Sequence, residues 1–243
     1  AGGESGGFAY DPRRSARLSL GTGWAYGKRG KAYSMTGRYE EAAADFDRAL
    51  IDNPDDAWVM AERAYALGEL GRHDEALAGF DAALALNPGE LWARNQRGKV
   101  LVECERHDEA LAEFDAVLAV DPTNTYALSM RGMVAYQQGR FADCVREVDA
   151  ALALAPEDAW LLSYRAAANS ALGRRREAIS DYDRMLALDP QRADWHFFRA
   201  QHYLALGEIE TALAVCDAVL AEQPDVRYLR HLRVDCLIQQ GRY

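Results

Sequence analysis

The residues of this chain that could do covalent or metal chemistry never gather in a pattern that would do it. Gly3-Glu4-Ser5-Gly6-Gly7 has the look of a segment around a nucleophilic serine. Such a serine needs a histidine base and an orienting aspartate, and too little chain precedes Ser5 to supply the folds that carry them, so a flexible Gly/Ser terminus is expected. Gly23 to Lys28 resembles a phosphate-binding loop. However, its required first glycine falls on Thr22, Lys28 is followed by Arg29 in place of a metal-binding hydroxyl, and no strand precedes it. His73 and His107 stand where Tyr39 and Phe141 stand in neighbouring segments, and His196, His202 and His231 lack the helix-face spacing of a shared metal site. Cys104, Cys144, Cys216 and Cys236 form no Cys-x-x-Cys pair and read as buried free thiols of a reducing compartment, here the cytoplasm. No metal, no cofactor and no enzymatic activity are expected.

Charge is the chemistry that does recur. Arg29, Arg63, Arg97, Arg131, Arg165, Arg199 and Arg233 are spaced by 34 residues, as are Asp47, Asp81, Asp115, Asp149, Asp183 and Asp217. An arginine in a seam between helices is costly unless paired, which makes the aspartate ladder its natural partner. The spacing leaves open whether a pair lies within one repeat or joins two. A row of guanidinium groups for an acidic ligand is the alternative, but one aspartate per repeat largely cancels it.

The elements that must position these residues follow from the same period. Pro54, Pro88, Pro122, Pro156, Pro190 and Pro224 are each 34 apart. Ala76, Leu77, Phe80, Ala83 and Leu84 form one helical stripe, helix B of a repeat. Gly37, Gly71, Gly139, Gly173, Gly207 and Gly241 mark the end of a preceding helix A. A hairpin of this length, with a mid-repeat Gly, Ala-x-x-x-Phe in helix B and a final Pro, resembles the tetratricopeptide repeat. The resemblance implies an all-α solenoid of helix-turn-helix units forming a right-handed superhelix. Repeats are expected at 23–56, 57–90, 91–124, 125–158, 159–192 and 193–226, with a partial one at 227–243. Residues 1–22 are expected to be a linker or the end of an upstream region. Glu105 takes the place of the turn glycine in the third repeat, and Val234 that of the small residue seen as Gly30, Gly98 and Gly132.

Trp24, Trp58, Trp92, Tyr126, Trp160 and Tyr228 share one position early in helix A, with Trp195 displaced by one residue. In the family that position borders the concave groove, together with residues three, seven, ten and eleven later. The resemblance therefore implies a ligand face that includes Trp58, Tyr65, Trp92, Asn95, Lys99, Tyr126, Ser129, Met133, Tyr136, Trp160 and Phe197. Aromatic anchors of this kind suit a protein or peptide ligand. The lysine and asparagine clamp with which co-chaperone members hold a carboxylate tail is replaced by Gly27, Lys31, Tyr65, Trp92 and Gln96, one lysine excepted.

The expected role is a non-enzymatic binding scaffold. The alternative is a sensory domain of a larger signalling protein, a transcription factor or nucleotide switch, that takes a small effector or signal peptide. A net charge of -10 argues against nucleic-acid and membrane partners. The last helix offers Leu229, Leu232, Leu237 and Ile238, which cannot all face the sixth repeat, so further chain and self-association through that end are expected.

Overall fold

The computed structural model describes the backbone of residues 12–241 and the side chains of residues 22–241; the Ser5 segment lies outside the described residues. Among them the chain forms thirteen α-helices and no strand, an all-α solenoid of helical hairpins. The A helices are α1 (Pro12–Met35), α3 (Ala57–Glu69), α5 (Leu91–Glu103), α7 (Thr125–Gln137), α9 (Ala159–Ala171), α11 (Ala193–Ala205) and α13 (Arg227–Gln239). The B helices are α2 (Tyr39–Asp52), α4 (His73–Leu86), α6 (His107–Val120), α8 (Phe141–Leu154), α10 (Arg175–Leu188) and α12 (Ile209–Glu222). Helix is described from Pro12 onward, so the later half of the stretch 1–22 continues into the first A helix.

The same local chemistry punctuates each hairpin. Asp56, Asn124 and Asp158 cap A helices, their side chains accepting from Val59 N, Ala127 N, and Trp160 N and Leu161 N. The B helices α2, α4, α8 and α10 open with arginine instead, which offers no acceptor, and B helices carry acids such as Glu40, Glu41, Asp74 and Glu75 in the first turn, where they complement the helix dipole. Between A and B the chain turns through positive φ, for example +74° at Gly71, with Arg72 N donating to Leu67 O at 2.9 Å. The third hairpin makes the same turn without glycine. Glu105 sits at φ 59° while Arg106 N still reaches Leu101 O at 2.8 Å. A side chain held there costs about 1 kcal/mol. Glu105→Gly should therefore raise stability to urea by about 0.5 to 1 kcal/mol, read as a higher midpoint at unchanged slope.

The chain comprises two compact units, Ala1–Ala116 and Val117–Tyr243. In the first, Phe46, Phe80 and Phe114 are fully buried on successive B helices. A Cβ on Gly98 would lie 2.6 Å from the Phe114 ring, so the A helix needs a residue without a side chain to sit this close. In the second unit, Leu128, Val148, Leu161, Leu162, Ala178 and Met185 form one cluster, and Ala200, Cys216, Val219, Leu229, Leu232 and Cys236 a smaller one. Of the apolar residues expected on the last helix, Leu229 and Leu232 are buried, Leu237 is half-buried and Ile238 is exposed. Val234 is 51% exposed because no B helix stands beside it among the described residues.

Candidate functional site

The arginine ladder is structural, and it joins repeats. Arg63 bonds Asp47, Arg97 bonds Asp81, Arg165 bonds Asp149, Arg199 bonds Asp183 and Arg233 bonds Asp217, each at 2.5–2.8 Å from an A helix to the preceding B helix. A second acidic position, not singled out in the sequence, works within the repeat. Arg29 bonds Asp45, Arg97 bonds Glu113, Arg131 bonds Glu147 and Arg165 bonds Asp181. Arg97 and Arg165 thus each bridge three helices. Of the two aspartates the register offers Arg131, Asp149 bonds Arg165, and Arg131 bonds Glu147 of its own repeat. Gly79 and Val215 occupy the second acidic position in the second and sixth repeats, which hides it from a periodic reading. Gly79 is fixed by space, since a Cβ there would lie 2.9 Å from that of Ala64.

In the first unit the expected ligand face is largely filled by its own side chains. Trp58 is 41% exposed and lies under the Lys28 ammonium at 4.9 Å while packing edge-on to Phe46. Trp92 is half-buried, 5.8 Å from Tyr65, with Lys31 5.4 Å from its ring and bonded to Glu62 at 2.6 Å. Burial and the nearby Glu69 push the Tyr65 phenol up to about 12. Lys99 reaches Glu69 at 2.5 Å and Glu103 at 3.6 Å. Asn95 is 6% exposed and offers a ligand little surface. A pocket between α3 and α5, lined by Tyr65, Glu69, Lys99 and Glu103 among others, has a volume of about 10 Å³.

The second unit is different. Tyr126 is 38% exposed and Met133 half-buried, while the Ser129 hydroxyl donates to Thr125 O at 2.6 Å. Tyr136 packs edge-on against Phe141 and Tyr164, each at 5.5 Å, and Trp160 lies 4.5 Å from Tyr164. Beyond Tyr136 opens a cleft of about 630 Å³ between α9 and α11. Its α9 wall is Ser163, Ala167, Ser170 and Ala171, the positions three, seven, ten and eleven after Trp160. The α11 wall is Asp194, Trp195, Phe198, Gln201 and His202, over a floor of Tyr182 and Met185. Phe197 turns elsewhere, onto Tyr228 at 5.0 Å and Phe198 at 5.4 Å.

The cleft exists because α11 packs poorly. Ala200 is its one buried residue, whereas α9 buries five. His202 stands where the other repeats have Ala66, Val100, Val134 and Ala168, all buried, and a ring of that size keeps α11 away from α9. The imidazole stacks on Tyr182 at 5.9 Å. Burial, together with Arg175, lowers its pKa, so the neutral form is favoured in the fold. Phe198 also stacks on Tyr182 at 5.8 Å and remains 42% exposed. Trp195 belongs to the aromatic ladder of the sequence reading and Tyr182 to its helix B core stripe, whereas Phe198 and His202 are cleft residues that the periodic reading did not place in the groove. The signal at His202 was its size at a position held elsewhere by Ala66, Val100, Val134 and Ala168.

The cysteines are free, three buried and Cys104 half-buried at the C-terminal end of α5, where the turn leaves it partly open. Burial pushes Cys144 up to about 11 and Cys216 up to about 12, so these thiols stay protonated at neutral pH. No helix among the described residues is long and apolar enough to cross a membrane.

Family sequence models described as tetratricopeptide repeat match residues 28–90 and 95–159, and a second such model matches residues 170–235. No curated protein matches the sequence. Among solved structures, PilW, described as a widely conserved type IV pilus biogenesis factor, is 22% identical with a TM-score of 0.73, covering 86% of this chain and 97% of its own. PilF of Pseudomonas aeruginosa is 19% identical with a TM-score of 0.72, covering 93% and 100%. YrrB, described as a repeat protein with an unusual peptide-binding site, is 25% identical with a TM-score of 0.64, covering 76% and 96%.

Proposed function

The chain belongs to the tetratricopeptide repeat family, and from that premise we propose that it is a non-catalytic scaffold whose partner, a protein segment or peptide, anchors in the cleft between α9 and α11. The observation that carries this reading is the cleft itself. Its volume of about 630 Å³ suits one or two large apolar side chains. Its walls pair the exposed faces of Trp195 and Phe198 with the small residues Ala167 and Ala171, which let a partner backbone come close. Ser163, Ser170 and Gln201 supply hydrogen bonds at the rim. Aromatic anchors bury a large area with few rotors to freeze, which is why they dominate such surfaces. In the first unit the equivalent space is occupied by the Lys99, Glu69 and Glu103 ion pairs, so the partner's apolar anchors belong in the second.

The net charge of -10 favours a partner that is neither nucleic acid nor an anionic membrane surface. The buried thiols fit a reducing, cytoplasmic setting. The test is selection of displayed peptides on the chain, counter-selected on a Tyr136→Ala and Phe198→Ala double variant. Recovery of peptides with recurrent aromatic or large aliphatic residues supports the proposal, and recovery of the same peptides by both proteins moves the site elsewhere.

A further inference from the structure

A second cleft, of about 400 Å³, lies where α8, α9 and α10 meet, on a different flank of α9 from the aromatic one. One wall is the Arg165 guanidinium with Asp149 and Asp181, whose charges satisfy one another. The remaining polar lining is Asn169, Arg174, Glu177 and Ser180.

Asn169 breaks the repeat. The same position holds Leu67, Leu101, Ala135 and Leu237 in other hairpins, and Tyr33 and Tyr203 in the remaining two. Asn169 is only 4% exposed and lines the cleft. Leucine would serve packing better at this position, whereas an amide on the cleft wall can bond a polar group that enters it. Arg174 and Glu177 break the pattern as well. In four hairpins the arginine that opens helix B bonds the acid three residues later: Arg38 to Glu41, Arg72 to Glu75, Arg106 to Glu109 and Arg140 to Asp143. In the fifth hairpin the same pair is present in sequence, but Arg174 and Glu177 do not bond each other and both line the cleft.

We propose that this cleft binds a free α-amino acid. Its carboxylate would lie on the Arg174 guanidinium, in the paired geometry that arginine favours, and its ammonium group on the Glu177 carboxylate. The Asn169 amide and Ser180 hydroxyl bond what remains. A simple anion would meet Glu177 as well as Arg174, and a simple cation would meet Arg174 as well as Glu177, whereas a zwitterion matches both. A volume of about 400 Å³ is in the range of small-molecule sites and too small for a folded segment. This site is separate from the peptide cleft and does not depend on it.

The experiment is calorimetric titration of the full chain with each of the common proteinogenic L-amino acids. The proposal expects at least one to bind, with its N-acetyl and carboxamide derivatives failing to do so. Arg174→Gln and Asn169→Leu should each weaken binding at least about tenfold, while Asn169→Leu melts at or above the wild-type temperature, which shows that the fold is intact. Absence of binding by every amino acid overturns the proposal. So does undiminished binding by both variants, or equal binding of the blocked derivatives.

Discussion

Replacing Arg165 with alanine should lower the stability of the chain by about 3 kcal/mol, the largest loss expected from any member of the arginine ladder. The reason lies in what is left behind. Asp181 has a side chain only 2% exposed, and Arg165 is its partner, through hydrogen bonds of 2.5–3.2 Å. The same guanidinium holds Asp149 of the preceding B helix at 2.5 Å. Alanine would leave a buried carboxylate uncompensated and would unfasten α9 from both α8 and α10. Arg233 provides the contrast. It holds a single aspartate, Asp217, and both side chains are more than 40% exposed, so water replaces the lost bond. Urea denaturation should therefore separate the two variants clearly, with Arg233→Ala close to wild type. Equal effects at the two positions would mean that burial of the acid is not what gives the ladder its strength.

The second large effect is on binding. Tyr136→Ala together with Phe198→Ala should weaken a cleft-selected peptide by about 100-fold, since two aromatic anchors at the centre of an interface are each worth about 1.5 kcal/mol or more. Both rings line the cleft, and neither is fully buried, so the helices persist without them. Tyr136 does support Phe141 and Tyr164, and a modest fall in melting temperature should accompany its loss. Trp24→Ala serves as the control: that ring is 68% exposed in the first unit, and its removal should leave affinity unchanged.

Much of this architecture is legible in the sequence because hairpins that stack on copies of themselves must repeat their contacts. The period places the turn glycines, the buried phenylalanines and the aspartates that tie one repeat to the next. It even places the strained turn at Glu105, where the backbone path is kept without the residue that would make it easy. What the period cannot show is a site made by departing from it. The second acidic position is broken at Gly79 and Val215, so it does not announce itself as a ladder. The cleft arises because Trp195 and His202 are too large for α11 to pack as α9 does. Phe197 occupies the register that the family resemblance assigns to the groove, yet the ring beside it, Phe198, lines the cleft. Departures from a local rule are expected at functional sites, and in this chain Asn169, Trp195 and His202 are departures on α9 and α11.

Hydrogen exchange of the chain, alone and saturated with a selected peptide, tests the central claim most directly. Backbone amides of α9 and α11 should exchange more slowly in the complex, because a ligand wedged between them couples the loosely packed α11 to its neighbour. Amides of α3 and α5 should be unaffected. Protection confined to α3 and α5, or to the B helices α8, α10 and α12, would contradict the assignment of the cleft as the binding site.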